Sequence, residues 1–456
     1  MNKVKIGIST LMIVVGAYIF MDAWDVVPGL FTTKPPLTEP LPYPESNELH
    51  VTVEQTPSFT TLSELDSARL STILDDMRTD VRMSGEIDLL VVDPIQQATA
   101  GAINTNQTLR PASTMKYLTA VSALNELGPQ TTLDTTVNVQ DHDIYLTGGG
   151  DVTLGAGVGE PNAVIGRAGI TDLVEQVVPK IEALEGPLTL YVDSSRYRGP
   201  VFNPTVMSED NTRYVMPLRP VAIDRGKQTT EKYSLFYDDP DVSAAQELAA
   251  QLQSRGVNIG VAGRAQTPES AAEIARVHSA PIRELVDLMM TDSDNTIAEV
   301  LGHEVAIKQN KPATFVGAGQ AVKDNLSAQG FSIAGVVIDD NSGLSDLNRI
   351  PAQLLADILQ RSWDCDACEL ASLGSALPLA SLEGTLHNRF FDSPARGAIR
   401  AKTGTLSTTT ALAGYVTTKA GRPLIFVALV SNHKESDNLN VRAAIDDTVG
   451  KIVEEL

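Results

Sequence analysis

The sequence predicts an α+β fold interrupted by a long insert, and three observations carry that prediction. Helical periodicity marks both ends of the body, over 61–83 and again at Ile445, Val449, Ile452, Val453 and Leu456. Between residues 397 and 432 three apolar runs, "GAIRAKTGT", "TALAGYVTT" and "PLIFVALVSN", follow one another with the short turn "KAGR" before the last, as antiparallel strands do. From 135 to 280 the texture changes to short strand-like runs and glycine-rich turns, with one clear helix at 242–255. An antiparallel sheet flanked by helices, carrying inserted β-rich material, satisfies all three.

With 456 residues, 43% of them hydrophobic, the chain has enough apolar surface for two or three domains. Its formal charge of -22 excludes nucleic acid as a partner, because phosphate binding needs a basic face that releases counterions. Lys3 and Lys5 precede an apolar run over 6–21, so residues 1–27 read as a signal peptide or membrane anchor with its positive flank inside, and the body lies outside the cytoplasm. Seven prolines between Pro28 and Pro57 make 28–60 an extended linker.

The body follows, at 61–134 and 281–456, with the insert at 135–280. Leu62, Leu65, Leu70, Ile73, Leu74, Met77 and Val81 share one helical face, and "IDLLVVD" after them reads as a strand. "RPASTMKYLTAVSALNELGP" reads as a helix that begins after Pro111 and stops at Gly128-Pro129. Two further helices, at 282–290 and 296–307, are broken by "TDSDN". The only cysteines, Cys365 and Cys368, form a C-x-x-C that suits a local disulfide or two free thiols, since zinc would require two more ligands.

Chemistry is carried by three short motifs, two of which occur twice. Ser-x-x-Lys appears in "STMK" (Ser113, Lys116) and in "SNHK" (Ser431, Lys434). Serine is a weak nucleophile at neutral pH and needs an adjacent base, and a lysine three residues on along a helix lies over it. Only "STMK" opens a helix, whose free N–H groups also favour a developing oxyanion; "SNHK" runs from a strand into a loop. Ser-Asp-Asn appears at Ser293, Asp294, Asn295, and again at Ser436, Asp437, Asn438, where such residues are ordinary caps and turns. "KTG" (Lys402, Thr403, Gly404) falls on a strand, where glycine allows close backbone approach. The order "STMK", "SDN", "KTG" is that of penicillin-recognising serine enzymes.

With these motifs, and with "LTGGGDVTL", "DNSGLS" and "LPLASLEGTLHNR", the chain from Thr61 onward resembles the low-molecular-mass class C penicillin-binding D-alanyl-D-alanine carboxypeptidases, which carry domains inserted between the first two motifs. The spacing of 180 residues from Ser113 to Ser293 agrees with that group. The resemblance implies a β-lactamase/transpeptidase-like domain with a helical subdomain. It implies an enzyme without metal or cofactor that cleaves peptidoglycan peptides ending in D-Ala-D-Ala and is acylated by β-lactams. By the same resemblance Ser113 attacks, Lys116 takes its proton, Ser293 relays a proton to the leaving amine and Asn295 holds the substrate amide. Lys402 and Thr403 grip the terminal carboxylate, and the N–H groups of Ser113 and Thr405 form the oxyanion hole. Asp193 is a candidate for binding a free amino group of the wall peptide, against a plain role in a strand-end turn. Val152 stands where the group has proline, and Leu382 and Glu383 where it has Ala or Gly and Asp. Two alternatives are a β-lactamase, for which no E-x-x-L-N lies between "SDN" and "KTG", and a non-catalytic sensor of wall peptides or β-lactams.

Overall fold

In the computed structural model, residues 64–456 are described apart from 106, 232, 233 and 366; the N-terminal signal or anchor and the linker lie outside the described residues. Helix α1 (Ser67–Thr79) starts where the Asp66 side chain accepts the Arg69 N–H, an N-cap of the usual kind. Strands β1 (Glu86–Asp93) and β2 (Ala98–Ile103) and helix α2 (Lys116–Leu127) follow. The insert contributes β3 (Asp134–Gln140), β4 (Asp143–Gly148), α3 (Ile170–Ile181), β5 (Leu188–Asp193), α4 (Pro240–Ser254), β6 (Ile259–Arg264) and β7 (Ala272–His278). The chain then runs through α5 (Ile282–Asp292), α6 (Asn295–Lys308), α7 (Phe315–Ala328), α8 (Ala352–Trp363), β8 (Ile399–Leu406), β9 (Thr409–Thr417), β10 (Pro423–Ser431) and α9 (Asn438–Glu455).

Two five-stranded sheets result, β2-β1-β10-β9-β8 and β6-β5-β4-β3-β7. The first is antiparallel throughout and covered on both faces. Leu89 and Val91 on β1 and Phe426, Ala428 and Val430 on β10 pack with α1 and α9; the alternate residues Leu90, Val92, Ile425, Val427 and Leu429 pack with α2 and α5 to α8. That two-sided burial is why β1 and β10 read as unbroken apolar runs and not as alternating ones.

The second sheet is mixed, with β4, β5 and β6 parallel and β3 antiparallel to both β4 and β7. Parallel neighbours need crossovers, and α3 and α4 supply them, packing on one face of the sheet in a core of their own. The insert therefore holds two helices on its sheet where the sequence reading found one. The missed α3 carries Ile170, Leu173, Val174, Val177 and Ile181 on its buried face, a helical spacing legible in the sequence but flanked by glycine-rich turns and interrupted by Pro179. Cys365 and Cys368 are joined as a disulfide just beyond α8.

Candidate active site

Strand β8 is an outer strand of the first sheet. Among the described residues, another backbone segment bonds to its free side only at its start, where Ala380 N–H donates to Ile399 O (2.9 Å) and Ala401 N–H donates to Pro378 O (3.2 Å). Backbone groups alternate sides along a strand, so Thr403 and Thr405 turn theirs to the same open edge as Ile399 and Ala401. Gly404 is required by its neighbours: a Cβ there would lie 2.8 Å from the Pro111 carbonyl oxygen and 3.1 Å from Ala112 Cβ. The "KTG" strand thus presses against the backbone that leads to Ser113.

That backbone makes a 3-10 turn over Ala112–Met115 before α2 begins at Lys116. With about three residues per turn, side chains at i and i+3 eclipse one another, so Lys116 stands over Ser113. Lys116 is fully buried, and its Nζ donates to Asn295 Oδ1 at 2.6 Å and to the Ser342 carbonyl at 2.6 Å, and lies 3.2 Å from Ser113 Oγ. Two of these partners can only accept. A neutral amine spends its two hydrogens on them and is left with a lone pair for the Ser113 hydroxyl. Burial lowers the Lys116 pKa to about 8, opposed by the nearby carboxylates of Asp340, Asp294 and Glu299.

Ser293 caps the C-terminus of α5 in a left-handed conformation (φ 61°), and Asp294 then caps α6 by accepting the Ile297 N–H. This reversal between two helices turns Ser293 and Asn295 toward one cleft. Lys402 Nζ, buried as completely as Lys116, donates to Ser293 Oγ at 2.8 Å and to the Thr403 carbonyl at 2.9 Å. Burial, and then the charge of Lys116, push the Lys402 pKa well below that of an ordinary lysine. Ser113, Lys116, Ser293, Asn295, Lys402 and the 403–405 edge are therefore brought to one place.

Five supporting groups carried no assigned role in the sequence reading. The Ser342 carbonyl is held by its own loop: Glu299 accepts the N–H groups of Asn341 and Ser342, and Asp340 accepts those of Gly343, Leu344 and Ser345. Glu299 lies four residues beyond Asn295 on α6, a helical turn away, which is the signal that could have found it. From the insert, Arg225 pairs with Asp294, and the Tyr214 carbonyl accepts from Asn295 Nδ2 at 2.9 Å. A cavity of about 540 Å³ opens here, walled by Ser293, Asn295 and Thr296 on one side and Arg213, Tyr214 and Phe236 on the other.

Asp193 stands apart from this cluster. It ends β5, and its two oxygens accept the N–H groups of Ser195 (2.9 Å) and Thr267 (2.7 Å) within the insert, which is strand-end turn work. The second motif copies also stay outside. Ser431 is buried and donates to the Arg110 carbonyl, Lys434 is exposed, and Ser436 contacts Asp437.

A covered antiparallel sheet, with a serine and a buried lysine on one helix start facing a Ser-x-Asn turn and a Lys-Thr-Gly edge strand, defines the active-site-serine, penicillin-recognising class. The chain belongs to the D-Ala-D-Ala carboxypeptidase 3 (S13) family, whose model matches residues 67–234 and 227–451. It is 36% identical over 349 residues to a carboxypeptidase of Mycobacterium tuberculosis, covering 74% of each chain. To carboxypeptidase DacB of Mycolicibacterium smegmatis it is 36% identical over 337 residues, covering 71% of this chain and 72% of that one. Its fold is similar to that of penicillin binding protein 4 from Haemophilus influenzae, with a TM-score of 0.67 at 18% identity, over 84% of this chain and 100% of the other.

Proposed function

We propose that the protein hydrolyses the D-Ala–D-Ala bond of peptidoglycan stem peptides outside the cytoplasm, with Ser113 as nucleophile and Lys116 as its base. The observation that carries this is the surroundings of Lys116 Nζ, two pure acceptors and the Ser113 hydroxyl, which suit a neutral amine.

Ser113 Oγ bonds to the carbonyl carbon of the penultimate D-alanine as its proton passes to Lys116 Nζ. The oxyanion is held by the N–H groups of Ser113 and Thr405. The substrate lies along the open edge of β8 as an added strand, its amide on Asn295 and its terminal carboxylate on Lys402 and Thr403. The proton taken by Lys116 reaches the departing nitrogen through the Ser293 hydroxyl, so D-alanine leaves as a neutral amine and Lys116 is again a base. Water then attacks the ester by the same route. A β-lactam carbonyl enters this path and leaves its opened ring as an ester on Ser113. The N-terminal apolar run holds the enzyme at the membrane, which fractionation with and without residues 1–27 tests.

A fluorescent penicillin should label the protein once, on Ser113. Ser113→Ala should abolish labelling while Ser431→Ala retains it; label surviving on the former overturns the choice of nucleophile. Mass spectrometry of treated wall fragments reads the reaction, because released D-alanine and opened cross-links differ in mass.

A further inference from the structure

The second motif copies stay out of the cleft, yet they touch both segments that build it. Arg110, buried and three residues before Ser113, donates through Nη2 to Asn432 Oδ1 (2.8 Å) and to Thr408 Oγ1 (2.8 Å), and its Nη1 lies 3.1 Å from Asp346 Oδ1. The Arg110 carbonyl accepts from Ser431 Oγ at 3.3 Å. Thr408 sits in the turn after β8, three residues beyond Thr405, and Asp346 follows the loop that offers the Ser342 carbonyl to Lys116. Asn432 takes a left-handed backbone (φ 62°), which aims its amide back at the guanidinium. Asn438 fastens the end of β8 by donating from Nδ2 to the Leu406 carbonyl at 2.7 Å. One planar fork thus ties together the segment carrying Ser113 N–H, the turn that closes the strand carrying Thr405 N–H, and the Ser342 loop.

We propose that Arg110 and Asn432 are positioning residues that set the spacing of the two oxyanion N–H groups, acting through Ser113 and Thr405 without touching substrate. The inference rests on those two groups being the oxyanion donors. A donor misplaced by an ångström or less loses much of its worth in a transition state while ground-state contacts survive, so the pair should matter for the tetrahedral species and little for product.

Asn432→Gly is the informative variant, because glycine accepts the positive φ and only the carboxamide is lost. An alkyl boronic acid, which forms a tetrahedral adduct on an active serine, probes the hole, and an N-acylated D-alanine carboxylate probes ground-state binding. In Asn432→Gly, penicillin acylation and boronate affinity should fall about tenfold or more, with product-like affinity and melting temperature unchanged. Asn432→Asp, which keeps an acceptor for the guanidinium, should recover most of the loss. Unchanged acylation and boronate affinity in Asn432→Gly would overturn the proposal, as would a fall in product affinity and melting temperature in step with acylation. Failure of the oxyanion reading would look different: the unmodified enzyme would then bind the boronate no more tightly than the carboxylate.

Discussion

Lys402 Nζ lies 2.8 Å from Ser293 Oγ, across 109 residues of sequence, and donates as well to the Thr403 carbonyl, so both of its hydrogen-bond acceptors are uncharged. Burial, and then the charge of Lys116, lower its pKa well below that of an ordinary lysine, and a carboxylate bound beside it would raise it again.

Binding of a D-Ala-D-Ala peptide to Ser113→Ala, which cannot be acylated, should therefore take up protons at about pH 9, where an ordinary lysine would already be charged. Calorimetry in two buffers of different ionisation enthalpy measures this. No difference between the buffers would mean that Lys402 is protonated before the carboxylate reaches it.

Lys116 has a folded pKa lowered to about 8, so the basic form accumulates above that pH and the acylation rate should rise through it. Lys116→Arg should be nearly inactive, because guanidinium keeps its proton. Second-order acylation rates across the neutral and alkaline range decide the matter, and a robust Lys116→Arg enzyme would rule out the base assignment.

Glu299 is held well above the ordinary carboxyl range by burial and by the adjacent Asp340, yet its charge, when present, raises the Lys116 pKa. Glu299→Gln keeps an acceptor for the Asn341 and Ser342 N–H groups and removes that charge, so the rising limb should move to lower pH. Glu299→Ala strands both donors and should cost about 1–3 kcal/mol in denaturant melts. A limb that stays in place in Glu299→Gln would show that the carboxyl is neutral throughout.

Gly404→Ala places a methyl group against the Pro111 carbonyl and should part the "KTG" strand from the Ser113 turn. Acylation should drop by about a hundredfold, as expected when reacting groups shift by roughly an ångström. Stopped-flow acylation measures it, and a variant within a factor of about two of the parent would show that the strand has room to yield.

Asp88 on β1 accepts the Ala352 N–H at the start of α8, and burial raises its pKa to about 6. Its folded pKa lies above the unfolded value, so its contribution is complete at acid pH and is lost as pH rises through about 6. Asp88→Asn should flatten that part of the stability–pH curve, by about 1–3 kcal/mol between the two limits. Parallel curves for the two proteins would remove Asp88 from the account.

The sequence by itself determined the strands β1 and β8 to β10, the helix start at Ser113 and Lys116, the helix carrying Asn295, and which Ser-x-x-Lys copy opens a helix. These are local matters: a lysine three residues after a serine lies over it only where a helix starts, and Ser431 ends a strand. Sequence could not supply the partners of Lys116, because Asn295 and Ser342 lie 179 and 226 residues away and only packing brings their acceptors to the amine. Nor could it supply the partners of Asp193, whose oxygens accept from Ser195 beside it and from Thr267, 74 residues on. Likewise Asn432, an ordinary loop residue in the sequence, gained its place only when folding brought Arg110 to it from 322 residues away. Lysine pKa and hydrogen-bond partners depend on burial by distant segments, and that is a property of the tertiary structure alone.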